Sequence, residues 1–280
     1  MYSNECLRDA GRFGQNSRVK NFDLGSVGVI DALGFKGIWE RQEVDDVIAS
    51  LLEAKKSAVE IVKAAEGFPA SDVFHASGCF PQISSMAFSD TVVFSVTVPQ
   101  VATKDRSATL AGTAGVAAFG LAYIQRAMAQ AKVPLVFRGV IATGDCYVDP
   151  ATQIMLGPAV DEAANLMNQA DGAFVWLYEK TSALDFFRWK GGIWADLFVS
   201  YSVPLKGGQP AVRTKVVNPF FHTSHLAEEF EKMRLGYRAA MNLQRADVNL
   251  KRQNTEAFIA HVRELSVRHI EMMARNAQVP

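Results

Sequence analysis

The chain has 280 residues, 29 basic and 29 acidic side chains, and no formal net charge. Hydrophobic residues make up 49% and charged ones 21%, which is enough apolar surface for a sizeable core and excludes disorder as the main state. The balanced charge excludes a broad nucleic-acid surface but leaves room for a small basic pocket, and the three scattered cysteines, Cys6, Cys79 and Cys146, argue against a zinc site or disulfide framework and for a reducing cytoplasm.

Residues 1–25 are polar and weakly periodic and read as an N-terminal arm; Arg8, Asp9, Arg12, Arg18, Lys20 and Asp23 leave no signal-peptide core. Ser26 to Gly34 is a β-branched run that predicts a central strand carrying one acid, Asp31. From Lys36 to Glu66 the pattern is helical, with Val44, Val47, Ile48, Leu51 and Leu52 on the apolar side and Gly67 and Pro69 as the stop. Ile83 to Val98 predicts two strands, with Ser89-Asp90 as the polar turn between them. Ser107 to Ala131 is a long small-residue helix. Its most apolar stretch, Ala111 to Tyr123, falls short of the roughly 20 residues that span a bilayer and reads as a buried helix rather than an integral membrane segment.

Val133 to Gly144 predicts a strand, and Asp145 to Thr152 a turn. Pro158 to Ala170 predicts a helix, Ala173 to Leu177 a strand, and residues 178–216 further short strands with Lys206-Gly207-Gly208 as a turn. From Phe220 to Ala277 the chain is almost wholly helical. Strand–helix–strand–strand–helix–strand over residues 26–144 is the order of an α+β, ferredoxin-like fold, with helices on one face of an antiparallel-rich sheet. A C-terminal helical extension of about 60 residues follows, the size of a small added unit.

Two acids stand out. Asp31 interrupts an apolar strand and Asp90 sits at a hairpin turn. A ferredoxin-like core sets its first strand beside the hairpin of its second and third, so the two carboxylates can converge. Paired carboxylates with open positions suit Mg²⁺ or Mn²⁺ completed by substrate phosphates. The alternative is that Asp31 pairs with Lys36 or Arg138 and Asp90 simply forms the turn.

From Val27 onward the chain resembles the catalytic domain of class III nucleotide cyclases, over roughly residues 26–216. VGVIDALGFKG is similar to that family's first strand and metal motif. MAFSDTVVFSV resembles its hairpin with the second metal acid, with Ser89 where the family usually has glycine. FRGVIATGDCYV resembles its Arg-x-Gly-(Ile/Val)-x-x-Gly strand, MLGPAVDEAANLMNQADGAFVWL its Asn- and Arg-bearing helix with the next turn and strand, and LKGGQPAVR its Lys-Gly turn. The resemblance implies a class III cyclase fold with a catalytic domain over 26–218 and a helical extension over 219–280. It implies two Mg²⁺ or Mn²⁺ ions per site held by Asp31, Ala32 and Asp90. It also implies a nucleoside triphosphate substrate met by the backbone of Ala32 to Phe35, by Lys36 and by Lys206; a solvated turn lysine is the other reading of Lys206.

In this family the active site forms between two subunits, which implies a homodimer in which one subunit gives Asp31 and Asp90 and the other gives Asp161 and Asn165. The chain departs from the pattern at the helix, where Asp161 and Asn165 stand in place of the asparagine and the transition-state arginine. Loss of such an arginine is worth orders of magnitude in phosphoryl transfer, and Arg138, Arg106 or Arg41 are the candidates to replace it. It departs again at the purine-reading positions, which hold Met86 and Ile154. These departures resemble the pyrimidine cyclases of bacterial Pycsar-type antiphage systems. They imply conversion of UTP to 3′,5′-cyclic UMP in the cytoplasm, with the product read by a separate effector. Cyclic CMP synthesis, a catalytically weak nucleotide-binding pseudo-cyclase and a purine cyclase with atypical base readers are the alternatives.

The remaining candidates read as structural. His222 and His225 have a metal-like spacing without a third ligand. His261 and His269 lie on a charged helix with Arg263, Glu264, Arg268 and Glu271, and Trp176, Trp189 and Trp194 suit a core or an interface.

Overall fold

The computed structural model describes residues 22–65, 81–99, 105–184, 196–221, 227–241 and 246–276. The N-terminal arm up to residue 21, Cys6, Cys79, the helix stop at Gly67 and Pro69, Trp189, Trp194, His222 and His225 lie outside the described residues.

Among the described residues eight strands form one sheet: β1 (Asp23–Ala32), β2 (Gln82–Phe88), β3 (Thr91–Val98), β4 (Phe137–Asp149), β5 (Ile154–Leu156), β6 (Val175–Leu177), β7 (Phe198–Val203) and β8 (Val212–Val217). Their order is β2-β3-β1-β4-β6-β8-β7, with β5 paired to β4. The pairings of these strands are antiparallel except that of β4 with β6. The helices are α1 (Val44–Ala65), α2 (Arg106–Ala129), α3 (Pro158–Leu166), α4 (Glu179–Ser182), α5 (Ala227–Ala240) and α6 (Ala246–Asn276). The β1-α1-β2-β3-α2-β4 order is the expected one, so the chain is an α+β fold built on a large, mostly antiparallel sheet.

Strand alternation divides the core in two. Ile30 and Ala32 of β1 and Phe137 and Ile141 of β4 face α1 and α2. Val27 and Val29 of β1 and Val140 and Ala142 of β4 face the other way, toward Ala159 and Ala163 of α3 and toward Phe258, Ile259 and Val262 of α6. Helices therefore cover both faces, not one. A short amphipathic helix such as α3 announces that it is half-buried but not against which side of the sheet. The C-terminal helices share this second core, and α5 also reaches α2: Tyr237 is buried against it, with its hydroxyl 3.3 Å from Gln125 Oε1.

Several boundaries differ from expectation. The helical pattern from Lys36 splits into a 3₁₀ turn at Ile38–Glu40 and α1. Along α1, Val47 is buried and Leu51 half-buried, whereas Val44, Ile48 and Leu52 are exposed. The predicted turn at 145–152 is instead the extension of β4 and its hairpin to β5. Asp105 caps α2, accepting a hydrogen bond from the Ala108 amide at 3.0 Å. Contrary to the expectation of too short an apolar stretch, α2 is long and apolar enough to cross a membrane, because the apolar pattern runs on past residues 111–123 at both ends; 78% of its most apolar window is buried inside the fold, the placement of a core helix.

Candidate active site

Strand register places the two acids. Asp31 is opposite Thr91 on β3 and opposite Arg138 on β4, and Thr91 is opposite Phe88 on β2. Residues opposite one another share a face. Phe88, Thr91, Asp31 and Arg138 therefore form one row across four strands, on the face that carries α3 and α6. The neighbouring row is Met86, Val93, Val29 and Val140.

Asp90 enters from the β2–β3 turn. The Ala32 amide donates to the Asp90 carbonyl at 3.0 Å, which ties the end of β1 to the hairpin. Ser89 adopts φ 53°, a left-handed value that favours glycine; this is the position where the cyclase motif usually carries glycine. The loop after β1 is braced by Arg41, whose Nη2 donates to the Gly34 carbonyl at 2.7 Å. Phe35 is buried, with its carbonyl accepting from the Ile38 amide at 2.9 Å, and Lys36 is exposed.

Arg138 makes the main contact of Asp31. Its Nη2 lies 3.3 Å from Asp31 Oδ2 and also donates to Asn168 Oδ1 at 2.6 Å. Thr91 Oγ1 donates to Asp31 Oδ1 at 3.4 Å. Of the two partners offered for Asp31 by the sequence, Arg138 is the one that the structure records. Arg138 Nε is buried with no hydrogen-bond partner among the described residues, a costly state for a charged donor and one that calls for an explanation such as a ligand.

Burial and the neighbouring Asp90 charge raise the Asp31 pKa, and the Arg138 charge opposes them. A raised pKa means that Asp31 keeps its proton to a higher pH than a free carboxyl. In an NMR titration, the Asp31 carboxyl is expected to titrate above the usual aspartate range. Its midpoint should move down in Asp90→Asn and up in Arg138→Gln; an unchanged midpoint in both would show that the groups are not coupled.

Lys206 joins this region through the backbone. Its amide donates to the Gln169 carbonyl at 2.9 Å. Its pKa is lowered by burial first, then by the Arg138 and Lys251 charges, with Asp171 and Asp31 opposing. The structure thus gathers Asp31, Asp90 and Lys206, together with Arg138 and Asn168, at one end of the sheet.

It does not join the other predicted residues to them. Met86 is buried one row away. Ile154 lies opposite Asp149, eleven residues along β4 from Arg138, on the order of 35 Å at about 3.3 Å per residue. Asp161 and Asn165 are exposed on α3, with their side chains open to solvent rather than packed on the Asp31 row. Arg106 is paired with Asp145 at 2.8 Å, toward the far end of β4. Sequence reasoning does not single out Thr91, Phe88 and Asn168. Counting back and forward from the Ser89-Asp90 turn would find the first two, since both stand at in-register positions. Phe88, half exposed on the Asp31 row, is a surface on which a ring could stack.

Of the other candidates, Trp176 is buried, as expected. His261 is not merely solvated: its Nε2 lies 3.2 Å from the Ser200 carbonyl and its ring tilts against Tyr201.

No protein-family model matches the chain, and no curated protein matches it by sequence. Among solved structures it is similar to the catalytic core of a rhodopsin-guanylyl cyclase with converted specificity in complex with ATPαS, at 16% identity over 71% of this chain and 97% of that one, with a TM-score of 0.42. It is also similar to a bacterial light-regulated adenylyl cyclase, at 15% identity over 76% and 98% with a TM-score of 0.41. A third is the guanylate cyclase domain of RhGC from Catenaria anguillulae in complex with GTP, at 15% identity over 71% and 98% with a TM-score of 0.40.

Proposed function

We propose that the protein is a nucleotide cyclase of the class III type that converts UTP to 3′,5′-cyclic UMP and pyrophosphate. The observation that carries this reading is the convergence of Asp31 and Asp90 beside Arg138 and Lys206. Two carboxylates next to two cations is the charge pattern needed to hold divalent ions and a triphosphate together.

The residues present fit Mg²⁺ or Mn²⁺. No group of three or more His, Cys, Asp or Glu side chains gathers among the described residues, so an all-protein cage is absent there. Two neighbouring carboxylates, the Asp90 charge raising the Asp31 pKa, with open positions for phosphate oxygens, suit a hard divalent ion. Asp31, Asp90 and the backbone at Ala32 would hold the two ions, which when bound supply activation of the ribose 3′-hydroxyl and charge neutralisation of the triphosphate. In the reaction the 3′-hydroxyl gives up its proton to solvent, its oxygen forms a bond to the α-phosphorus, and the bond from the α-phosphorus to the bridging oxygen of the β-phosphate breaks, releasing pyrophosphate. Lys206 neutralises charge on that leaving group. Arg138, already beside Asp31, is the nearest cation to stand in for the arginine replaced by Asn165.

The distance of Ile154, and the solvent-facing placement of Asp161 and Asn165, support a site completed by a second subunit in a head-to-tail homodimer. Met86 and Ile154 offer no polar edge to a purine, which supports a pyrimidine substrate. The product then serves a separate effector in antiphage defence. CTP is the nearest alternative substrate. The Asn165 substitution favours one second reading, a nucleotide-binding pseudo-cyclase that binds with metal but does not turn over.

The test is incubation of the purified protein with ATP, GTP, CTP or UTP and Mn²⁺, with products identified by chromatography and mass. Cyclic UMP is the expected product. Cyclic CMP would change the base, a cyclic purine would overturn the pyrimidine reading, and metal-dependent binding without any product would favour the pseudo-cyclase.

A further inference from the structure

We propose that Lys251, in the first turns of α6, is a second lysine of the triphosphate subsite, held beside Lys206 by the C-terminal helix; this rests on the triphosphate reading above. The argument begins with helix geometry. Lys251, Asn254 and Thr255 stand at i, i+3 and i+4 and so share one face of α6. Two of the three grip the segment that follows α3. Asn254 Nδ2 donates to the Asp171 carbonyl at 2.6 Å, and Thr255 Oγ1 accepts from the Ala173 amide at 2.9 Å while donating to the Lys251 carbonyl at 2.7 Å.

The same segment also holds the Lys206 loop. The Asp171 amide donates to the Pro204 carbonyl at 2.9 Å, Ala170 bridges to Leu205, and the Lys206 amide donates to the Gln169 carbonyl at 2.9 Å. Asn168, one residue earlier, carries the Arg138 guanidinium. Residues 168–173 are therefore a strap. Arg138, the Lys206 loop and the face of α6 bearing Lys251 are all fixed to it.

The result is a concentration of positive charge. Lys251 is half-buried, and Lys206 feels both it and Arg138 as repulsion, offset in part by Asp171 and Asp31. Arg138, Lys206 and Lys251 thus stand in one cluster with Asp31, Asp90 and Asp171, in which the carboxylates suit divalent ions and the cations suit the phosphate oxygens that accompany them. A polyphosphate with its metal ions matches that mixture. The C-terminal helices thus complete the site on the face that α1 and α2 leave free.

The test uses the full chain and inorganic tripolyphosphate with Mg²⁺, followed by calorimetry, with uridine as a control ligand and thermal melting as a fold control. Lys251→Gln is expected to weaken tripolyphosphate binding about tenfold, the loss of roughly one charge-assisted contact, with uridine binding and the melting temperature unchanged. Lys251→Arg should restore binding to within about twofold because it keeps the charge. In turnover assays the Gln variant should raise KM with little change in kcat, the mark of uniform binding.

Equal tripolyphosphate affinity in wild type and Lys251→Gln overturns the proposal, as does a wild type that binds no tripolyphosphate. Weakening that comes with a lower melting temperature and no rescue by arginine assigns Lys251 a purely structural role and overturns it too. Wild-type binding that Lys251→Gln weakens, in a protein that makes no cyclic nucleotide, upholds the inference and overturns the cyclase reading instead.

Discussion

Replacing Asp31 or Asp90 with asparagine is expected to lower cyclic-nucleotide formation by roughly a thousandfold or more, because each carboxylate's loss removes several kcal/mol of transition-state charge stabilisation. The substitution keeps the shape of the side chain, so the fold should survive it. The two variants should differ in stability. Asparagine at position 31 can still accept from Thr91 and Arg138, but it loses the ion pair and leaves the largely buried guanidinium less well compensated. Asparagine at position 90 removes a charge that repels Asp31, so Asp90→Asn should melt no lower than the wild type. Product measured by mass spectrometry, with a melting curve for each variant, checks both statements. Cyclisation by either variant at the wild-type rate would show that the carboxylates do not hold the metals.

Much of this arrangement is legible in the sequence because local pattern and global fold agree. Asp31 declares itself by breaking a β-branched run, and Asp90 by sitting in a two-residue turn between two alternating strands; the first strand of such a core must lie beside that hairpin. What the sequence does not reveal is the register. Whether Arg138 or Lys36 meets Asp31 depends on pairing between strands more than a hundred residues apart, and a slip of one residue would turn Arg138 to the opposite face. Asn168 lies beyond the last turn of α3, where no periodicity marks it. The β4–β5 hairpin reads as a turn because Asp145, Asp149 and the polar residues after them resemble loop chemistry. They belong to a strand extension only partly covered, and pairing with β5 overrides their propensity. Motif spacing alone puts Ile154 in the base pocket. Within one chain the length of β4 separates it from the acids.

Two glycines that look alike in sequence are expected to respond very differently to alanine. Gly139 lies opposite Ile30 in the β1–β4 ladder, next to Arg138. A Cβ there would stand 2.0 Å from the Val29 carbonyl oxygen and 2.8 Å from the Ile30 Cα, both backbone atoms that cannot swing aside. The Gly139 amide also donates to the Phe174 carbonyl at 2.8 Å, so the strand is held from both sides. Gly139→Ala must push β1 from β4, at a cost of about 3 kcal/mol or more, the upper part of the range for overpacked cores. For a chain of this size that corresponds to a fall in melting temperature of roughly 6–12 °C. The same displacement moves Arg138 relative to Asp31, so activity should fall even below the melting transition. Gly207, by contrast, has φ +70°, and a Cβ added to it would meet nothing within 4 Å among the described residues. Gly207→Ala meets only the left-handed backbone penalty of about 1–2 kcal/mol. It should leave the Asp31 site intact and, through the Lys206 loop, affect KM alone. Melting curves and steady-state rates for the two variants decide the matter. If Gly139→Ala melts within a degree or two of wild type, the close approach of β1 and β4 that sets the Asp31–Arg138 pair is not as tight as the register requires.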